Sequence, residues 1–217
     1  MRSLRPARRA VEPELFRLIG LLLGYPEPEL LDGRPQLVEA LRSLRPSPAC
    51  RALDGFVVAW AERPAQELVA HYVATFDLHR RTGLYLTYYL FGDRRQRGMA
   101  FLRLKHLYEA AGWELSTREL PDYLPLMLEF AALAPDGLGA AVLAEHRPAL
   151  ELLRLGLHDA DTTYAAVLDA LLLALPPLTG KEREVVARLL AEGPPGEQVG
   201  LEPFAPPELM PAGRRAP

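Results

Sequence analysis

Apolar residues recur along most of this chain every three or four positions, the spacing that places them on one face of an α-helix. The clearest example is residues 162–175, where the apolar stripe is wide and Asp161 stands before it as a predicted N-cap. This stripe consists of Tyr164, Val167, Leu168, Leu171, Leu172 and Leu175. The same spacing predicts further helices at about 13–23, 27–32, 35–44, 50–62, 64–76, 94–111, 123–133 and 181–192.

Two segments leave alternatives open. Residues 138–157 predict either one helix bent near Pro148 or two short helices, because proline interrupts a helix interior. Residues 83–91 are aromatic and apolar enough for a strand, but a lone strand would have no partner, so a helix is favoured. The sequence shows no hairpin signal and no internal repeat. We therefore predict an all-α fold, built as a single-domain helical bundle.

The helical pattern is flanked by segments of different composition. Residues 1–12 carry four arginines and predict a basic N-terminal arm. The pair Arg8 and Arg9 precedes an apolar run, but charged residues interrupt that run, so a signal peptide is not expected. Residues 13–192 form the predicted helical domain, and 193–217 form a Pro-rich tail that we expect to be flexible. No apolar stretch is long enough for a membrane span, so direct membrane insertion is not expected.

Composition narrows the range of functions. The 217 residues carry a formal net charge of −3, whereas domains that bind nucleic acid usually have a strong basic excess. Cys50 is the only cysteine, which excludes an internal disulfide and is typical of the reducing cytoplasm. No two of the five histidines have the spacing of a helical metal-ligand pair, and no phosphate-binding loop or nucleophile elbow is present. We predict no catalytic residue, no metal and no cofactor; an enzyme assembled from distant residues is the remaining alternative.

The turn at 92–98 concentrates positive charge. Gly92 is expected to take an unusual backbone angle, and Asp93 is predicted to cap the following helix. Arg94, Arg95 and Arg97 fall in the first helical turn, where the helix dipole disfavours cations. They either pair with carboxylates or meet an acidic partner, and pairing is favoured because such pairs are common. The candidate carboxylates are Asp77, Glu109 and Glu119.

The segment 119–125 is predicted to be a helix entry. Asp122 would be the N-cap, which places Pro125 in the first turn, where a missing N–H costs little. Two prolines this close together also make a stiff elbow. Such an elbow is suited to forming one wall of a groove.

Several short motifs together resemble one family of proteins. They are Tyr-Val at 72–73, Phe-Asp at 76–77, Leu-Tyr-Leu at 84–86, Gly-Asp at 92–93, Arg-Gly-Met at 97–99, Glu-Leu-Pro-Asp-Tyr-Leu-Pro at 119–125 and Leu-Glu-Phe at 128–130. Over about residues 13–178, this pattern resembles the NarJ-type assembly chaperones of respiratory nitrate reductase, within the TorD/DmsD group. Tyr123 stands where the family pattern has a histidine, and Gly83 where it has a serine.

The resemblance implies a TorD-like, cytoplasmic chaperone that is not an enzyme. Its partner would be the catalytic subunit of membrane-bound nitrate reductase, bound through the N-terminal peptide and held ready for insertion of molybdenum cofactor and iron–sulfur clusters. A groove of aromatic side chains with an acidic rim would suit a basic amphipathic helix. The predicted peptide-binding residues are Tyr72, Phe76, Asp77, Tyr85, Tyr89, Asp93, Arg97, Glu119, Pro121, Asp122, Tyr123 and Glu129.

Three alternatives accompany this prediction. One is a chaperone of another molybdoenzyme, such as a dimethyl sulfoxide reductase. A second, weaker one is a helical nucleic-acid-binding regulatory domain built around the arginines at 94–97. The third is a helical enzyme or cofactor-transfer protein. The sequence also leaves open whether the chain forms a homodimer.

Overall fold

The amphipathic segments fold into short helices that share one core. The computed structural model describes residues 13–115 and 119–193, and the predicted arm (1–12) and all but the first residue of the predicted tail (193–217) lie outside these ranges. The α-helices in the described part are α1 (Pro13–Leu22), α2 (Pro28–Asp32), α3 (Arg34–Ser43), α4 (Pro48–Glu62), α5 (Ala65–Tyr72), α6 (Leu86–Phe91), α7 (Arg95–Ala110), α8 (Leu124–Leu133), α9 (Leu138–Glu145), α10 (Arg147–Asp159), α11 (Ala165–Ala174) and α12 (Gly180–Glu192). A π-helical turn, Val73–Asp77, continues α5, and a 3₁₀ turn, Pro135–Gly137, precedes α9. The predicted all-α class is confirmed.

Two helix pairs make up the centre of the bundle. α1 packs along α8, and α4 packs along α11, while α10 lies against α6, α11 and α12. The core side chains of these two pairs include Leu22 on α1, Leu128 on α8, Leu53 on α4 and Leu168 on α11. All four are fully buried and belong to a single apolar cluster. One core therefore holds together helices from both ends of the described chain.

The structure settles the two ambiguous segments. Residues 138–157 form two helices, α9 and α10, and Pro148 occupies the first turn of α10, where proline is tolerated. Residues 83–91 are helical only from Leu86 onward. Before that helix the backbone is extended, and Tyr85 makes an isolated antiparallel bridge with Tyr123, 38 residues away in sequence.

The three predicted aspartate caps are wrong. The N-cap residues of α7, α8 and α11 are Arg94, Tyr123 and Tyr164, and none of them makes a side-chain cap. Asp161 instead adopts a positive φ of 50° in the turn before α11. The angle expected at Gly92 is confirmed, with φ of 57°.

No helix in ranges 13–115 and 119–193 is long and apolar enough to cross a membrane.

Candidate functional site

An open groove lies between α1, the α2–α3 hairpin and α8. Its volume is about 760 Å³, and five of its eighteen described lining residues are leucines. Leu21, Tyr25 and Leu133 all line it and are more than a third exposed, and exposed apolar side chains gathered in one concavity are typical of a binding groove. We call this space the α1–α8 groove. Its full lining is Arg17, Gly20, Leu21, Gly24, Tyr25, Glu27, Glu29, Leu30, Gly33, Gln36, Leu37, Glu119, Tyr123, Pro125, Leu126, Glu129, Ala132 and Leu133.

Helical periodicity explains how α8 both fills the core and lines the groove. Leu126, Glu129 and Leu133 are three or four positions apart, so they share one face of the helix, and that face borders the groove. Leu124 and Leu128 lie on the opposite face and are fully buried. α8 is therefore apolar on nearly all sides, and the second apolar face is left uncovered.

The rim of the α1–α8 groove is acidic. Among its described lining residues, four glutamates accompany a single cation, Arg17. The glutamates are Glu27, Glu29, Glu119 and Glu129, and all four are exposed. A cleft surrounded by negative charges attracts cationic ligands and raises their rate of association.

The groove continues into a second section lined by aromatic residues. This aromatic section, of about 550 Å³, shares Tyr25, Glu27, Glu119 and Tyr123 with the first section. The Tyr72 ring lies 5.4 Å from that of Tyr25, in an edge-to-face arrangement. Its hydroxyl donates to the Leu23 carbonyl at 3.2 Å and lies 3.3 Å from the Tyr123 hydroxyl. These contacts hold the tyrosines in one continuous wall.

Tyr85 and Tyr123 form the pair at the centre of the aromatic section. Their ring centroids are 5.4 Å apart, and the Tyr85 hydroxyl donates to Glu119 Oε2 at 3.2 Å. Burial raises the pKa of Tyr85 to about 12, and the Glu119 carboxylate adds to the rise. Burial also raises the pKa of Tyr72 and Tyr123. All three hydroxyls therefore stay protonated and able to donate at neutral pH.

A third, smaller section extends the groove toward the start of α7. It encloses about 450 Å³ and shares Phe76, Asp77 and Tyr85 with the aromatic section. Asp93 and Arg97 line its far end. The whole groove thus passes from α1 and α8, across the tyrosine pair, to the first turn of α7.

Arg97 is held by carboxylates that differ from those expected. Its guanidinium lies 3.7 Å from Asp93 and 3.7 Å from Asp122, and it rests near the rings of Tyr88 and Phe101. Internal pairing of this arginine is confirmed, but through Asp93 and Asp122 rather than Asp77, Glu109 or Glu119. Asp93, predicted as a cap, serves as an ion-pair partner one helical turn away.

The family model described as "Nitrate reductase delta subunit" matches residues 43–169, more than half of the chain. The chain belongs to the NarJ-type family of nitrate reductase assembly chaperones. It is an assembly chaperone by family and not an enzyme, in agreement with the sequence-based prediction.

Individual relatives agree with this assignment. The Bacillus subtilis (strain 168) NarJ, a candidate nitrate reductase molybdenum cofactor assembly chaperone, is 35% identical over 167 residues, which cover 77% of this chain and 91% of that protein. The Escherichia coli (strain K12) nitrate reductase molybdenum cofactor assembly chaperone NarJ is 33% identical over 157 residues, 71% of this chain and 66% of that protein. A candidate redox enzyme maturation protein from Archaeoglobus fulgidus superposes with a TM-score of 0.57 over 79% of this chain and 97% of its own. At 18% identity, this last similarity supports the fold alone.

The structure of this NarJ-type chain brings nine of the twelve predicted peptide-binding residues to the groove. They are Tyr72, Phe76, Asp77, Tyr85, Asp93, Arg97, Glu119, Tyr123 and Glu129. The other three, Tyr89, Pro121 and Asp122, are buried and do not line it. Tyr89 donates to the carbonyls of Arg81 and Gly83, and the Pro121 carbonyl accepts from Tyr108. None of these three is therefore among the described residues that line the groove.

Sequence reasoning missed the N-terminal half of the groove. The residues of α1, α2 and α3 that line it were not predicted as site residues, and Tyr25 is the clearest omission. One signal was available, because Gly24 and Pro26 end α1 and thereby place Tyr25 in the turn after the helix, outside its apolar stripe. In the described residues, no group of three or more His, Cys, Asp or Glu side chains could hold a metal ion.

Proposed function

We propose that this chain is a cytoplasmic chaperone that binds the N-terminal segment of the catalytic subunit of a membrane-bound respiratory nitrate reductase. Bound in this way, the apo subunit would be kept accessible for insertion of molybdenum cofactor and iron–sulfur clusters before it joins the membrane complex. The observation that carries the proposal is the α1–α8 groove, an uncovered apolar surface with an acidic rim, in a chain that belongs to the NarJ-type family.

The shape and chemistry of the groove favour a helical peptide. Exposed leucines on two facing helices, Leu21 on α1 and Leu133 on α8, offer apolar contacts along its length. An amphipathic helix places anchors at intervals of three and four residues and can lay them into such a groove. The tyrosines of the aromatic section add contact area with little loss of side-chain entropy, because their rings are already fixed by neighbours.

Charge complementarity selects a basic peptide. The four rim glutamates would meet lysine or arginine side chains on the polar face of the helix. Because these carboxylates are exposed, their main effect is on the rate of encounter and on orientation, and salt screens it. Raising the salt concentration should therefore slow association more than it speeds dissociation.

The test is calorimetry with a synthetic N-terminal peptide of the cognate catalytic subunit. Leu133→Lys places a cation in the groove, and we expect it to weaken binding about tenfold or more, the loss typical of a buried interface anchor. Leu173→Lys is the matched control, because Leu173 has similar exposure (57% against 51% for Leu133) on α11 and does not line the groove. The control should bind as the unmodified chain does.

Two results would count against the proposal. The first is an absence of binding at micromolar peptide concentrations by the unmodified chain. The second is equal affinity of the Leu133→Lys and Leu173→Lys variants, which would place the peptide elsewhere. The corresponding peptide of a dimethyl sulfoxide reductase serves as a specificity control, since tighter binding of that peptide would indicate a different client.

A further inference from the structure

Asp122 is the one carboxylate of the described chain that is fully buried beneath the groove. Its Oδ2 accepts two hydrogen bonds from Thr87, one from the backbone N–H at 3.1 Å and one from the hydroxyl at 2.6 Å. Thr87 is the second residue of α6, so its N–H has no partner within the helix. The residue before this helix, Tyr85, makes no side-chain cap. Asp122 therefore caps α6 from a loop 35 residues away in sequence.

The backbone of Asp122 fixes the same two segments to each other. Its carbonyl accepts from the Leu86 N–H at 3.1 Å, and the Leu124 N–H donates to the Leu84 carbonyl at 2.8 Å. These two bonds form the isolated bridge that sets Tyr85 opposite Tyr123. Because that pair lies at the centre of the aromatic section, the side chain and the backbone of Asp122 act on one feature of the groove.

α7 closes the cluster from the other side. Arg97 Nε–H donates to the Thr87 hydroxyl at 3.2 Å, and this hydroxyl in turn donates to Asp122. The hydrogen bonds thus run in one direction, from the cation through the threonine to the carboxylate. The Tyr108 hydroxyl donates to the Pro121 carbonyl at 2.8 Å and holds the adjacent backbone.

We infer that Asp122 and Thr87 are positioning residues, which hold the Tyr85–Tyr123 pair in the groove without touching the bound peptide. A fully buried side chain cannot contact a ligand, yet a buried carboxylate is costly unless its charge is matched by donors and a cation. Two donors from the start of α6 and the Arg97 guanidinium supply that match at Oδ2, while Oδ1 has no hydrogen-bond partner among the described residues. The inference rests on the proposed function for its effect on binding, but the effect on the bridge can be observed without any peptide.

The first experiment measures the bridge itself. Thr87→Val is a near-isosteric change that removes the hydroxyl with its two hydrogen bonds, to Asp122 and from Arg97, and keeps the backbone N–H. In Asp122→Ala and in Thr87→Val, amide hydrogen exchange at Leu86 and Leu124 should accelerate at least tenfold relative to core amides. Thr87→Ser keeps the hydroxyl and should restore protection. Thr87→Val serves as the decisive variant if Asp122→Ala does not fold. Unchanged protection at both amides in Thr87→Val would overturn the inference.

The second experiment is a double-mutant cycle on peptide affinity. Thr87→Val should weaken binding of the catalytic-subunit peptide about fivefold to tenfold in the unmodified chain. In the Tyr85→Ala/Tyr123→Ala background, the same change should alter affinity less than twofold, because its effect passes through the tyrosines. An equal loss in both backgrounds would show that Thr87 acts independently of the pair. If the unmodified chain binds no peptide, the proposed function fails, and the exchange measurement alone decides the positioning role.

Discussion

The contact between α8 and α9 gives a prediction whose magnitude can be worked from the structure. Gly139, in the first turn of α9, lies directly against the backbone of Ala131 on α8. A Cβ added to Gly139 would lie 2.8 Å from the Ala131 nitrogen and closer still to its Cα, whereas carbon atoms in contact normally keep about 3.5–4.0 Å. The obstacle is backbone, so no side-chain rotation can relieve it, and α9 must move by about 1 Å.

The expected cost of Gly139→Ala follows from that displacement. Overpacking a well-packed contact lowers the free energy of unfolding by about 1–3 kcal/mol, and the cost here is near the upper value because the obstacle is backbone. The higher helix propensity of alanine than of glycine offsets up to about 1 kcal/mol of this loss. The net loss is then about 2 kcal/mol, which corresponds to a Tm lower by about 4–8 °C for a domain of this size.

The assay is thermal unfolding followed by circular dichroism, with Gly98→Ala as the control. Gly98 lies in the interior of α7, and a Cβ there would meet no atom within 4 Å. This second substitution should raise the Tm by about 1–4 °C, since it gains propensity without a clash. The reasoning fails if Gly139→Ala is as stable as the unmodified chain while Gly98→Ala shows its gain.

Two further predictions concern pH and capping. His71 Nδ1 lies 3.0 Å from Arg63 and must accept, so Nε2–H donates to Thr162, and burial followed by the Arg63 charge lowers the pKa of His71 below its ordinary 6.5. Below pH 6.5 the unfolded chain binds a proton at His71 that the folded chain does not, so the free energy of unfolding should fall as the pH drops from 6.5 toward the folded pKa. In His71→Gln, the urea midpoint of unfolding should depend less on pH over this range. Thr179 and Glu182 form a capping box at α12, so Thr179→Ala should cost about 1 kcal/mol by urea unfolding, whereas Thr179→Ser should cost little; equal losses would exclude the cap.

Helix positions could be predicted because apolar spacing is a local property. The predicted helix at 94–111 corresponds to α7, and that at 50–62 to α4, each within two residues at both ends. The caps could not be predicted in the same way. Asp93, Asp122 and Asp161 each stand before a helix, but a carboxylate there bonds whichever donor the fold brings nearest. For Asp122 that donor belongs to Thr87, 35 residues earlier, which no local pattern indicates.

The groove divides into a part that the sequence indicates and a part that depends on packing. The aromatic section could be anticipated in part, since the tyrosines between 72 and 123 have polar tips that suit a groove, although their spacing does not show which of them face outward. The α1–α8 section could not, because α1 and α8 are more than 100 residues apart in sequence. Periodicity shows that each helix has an apolar face. It does not show that the pairing of these two helices leaves Leu21 and Leu133 uncovered.

Glu119 and Asp122 show how residue type alone led to the prediction that both bind the peptide. They are three positions apart and carry the same charge, yet Glu119 is exposed on the groove and Asp122 is fully buried. The difference lies in what each carboxylate meets. The longer Glu119 side chain reaches outward to the Tyr85 hydroxyl, whereas the short Asp122 side chain meets the free N–H at the start of α6 and the Arg97 guanidinium. Two residues of one motif thus serve one groove differently, Glu119 as part of its surface and Asp122 as part of the support beneath it.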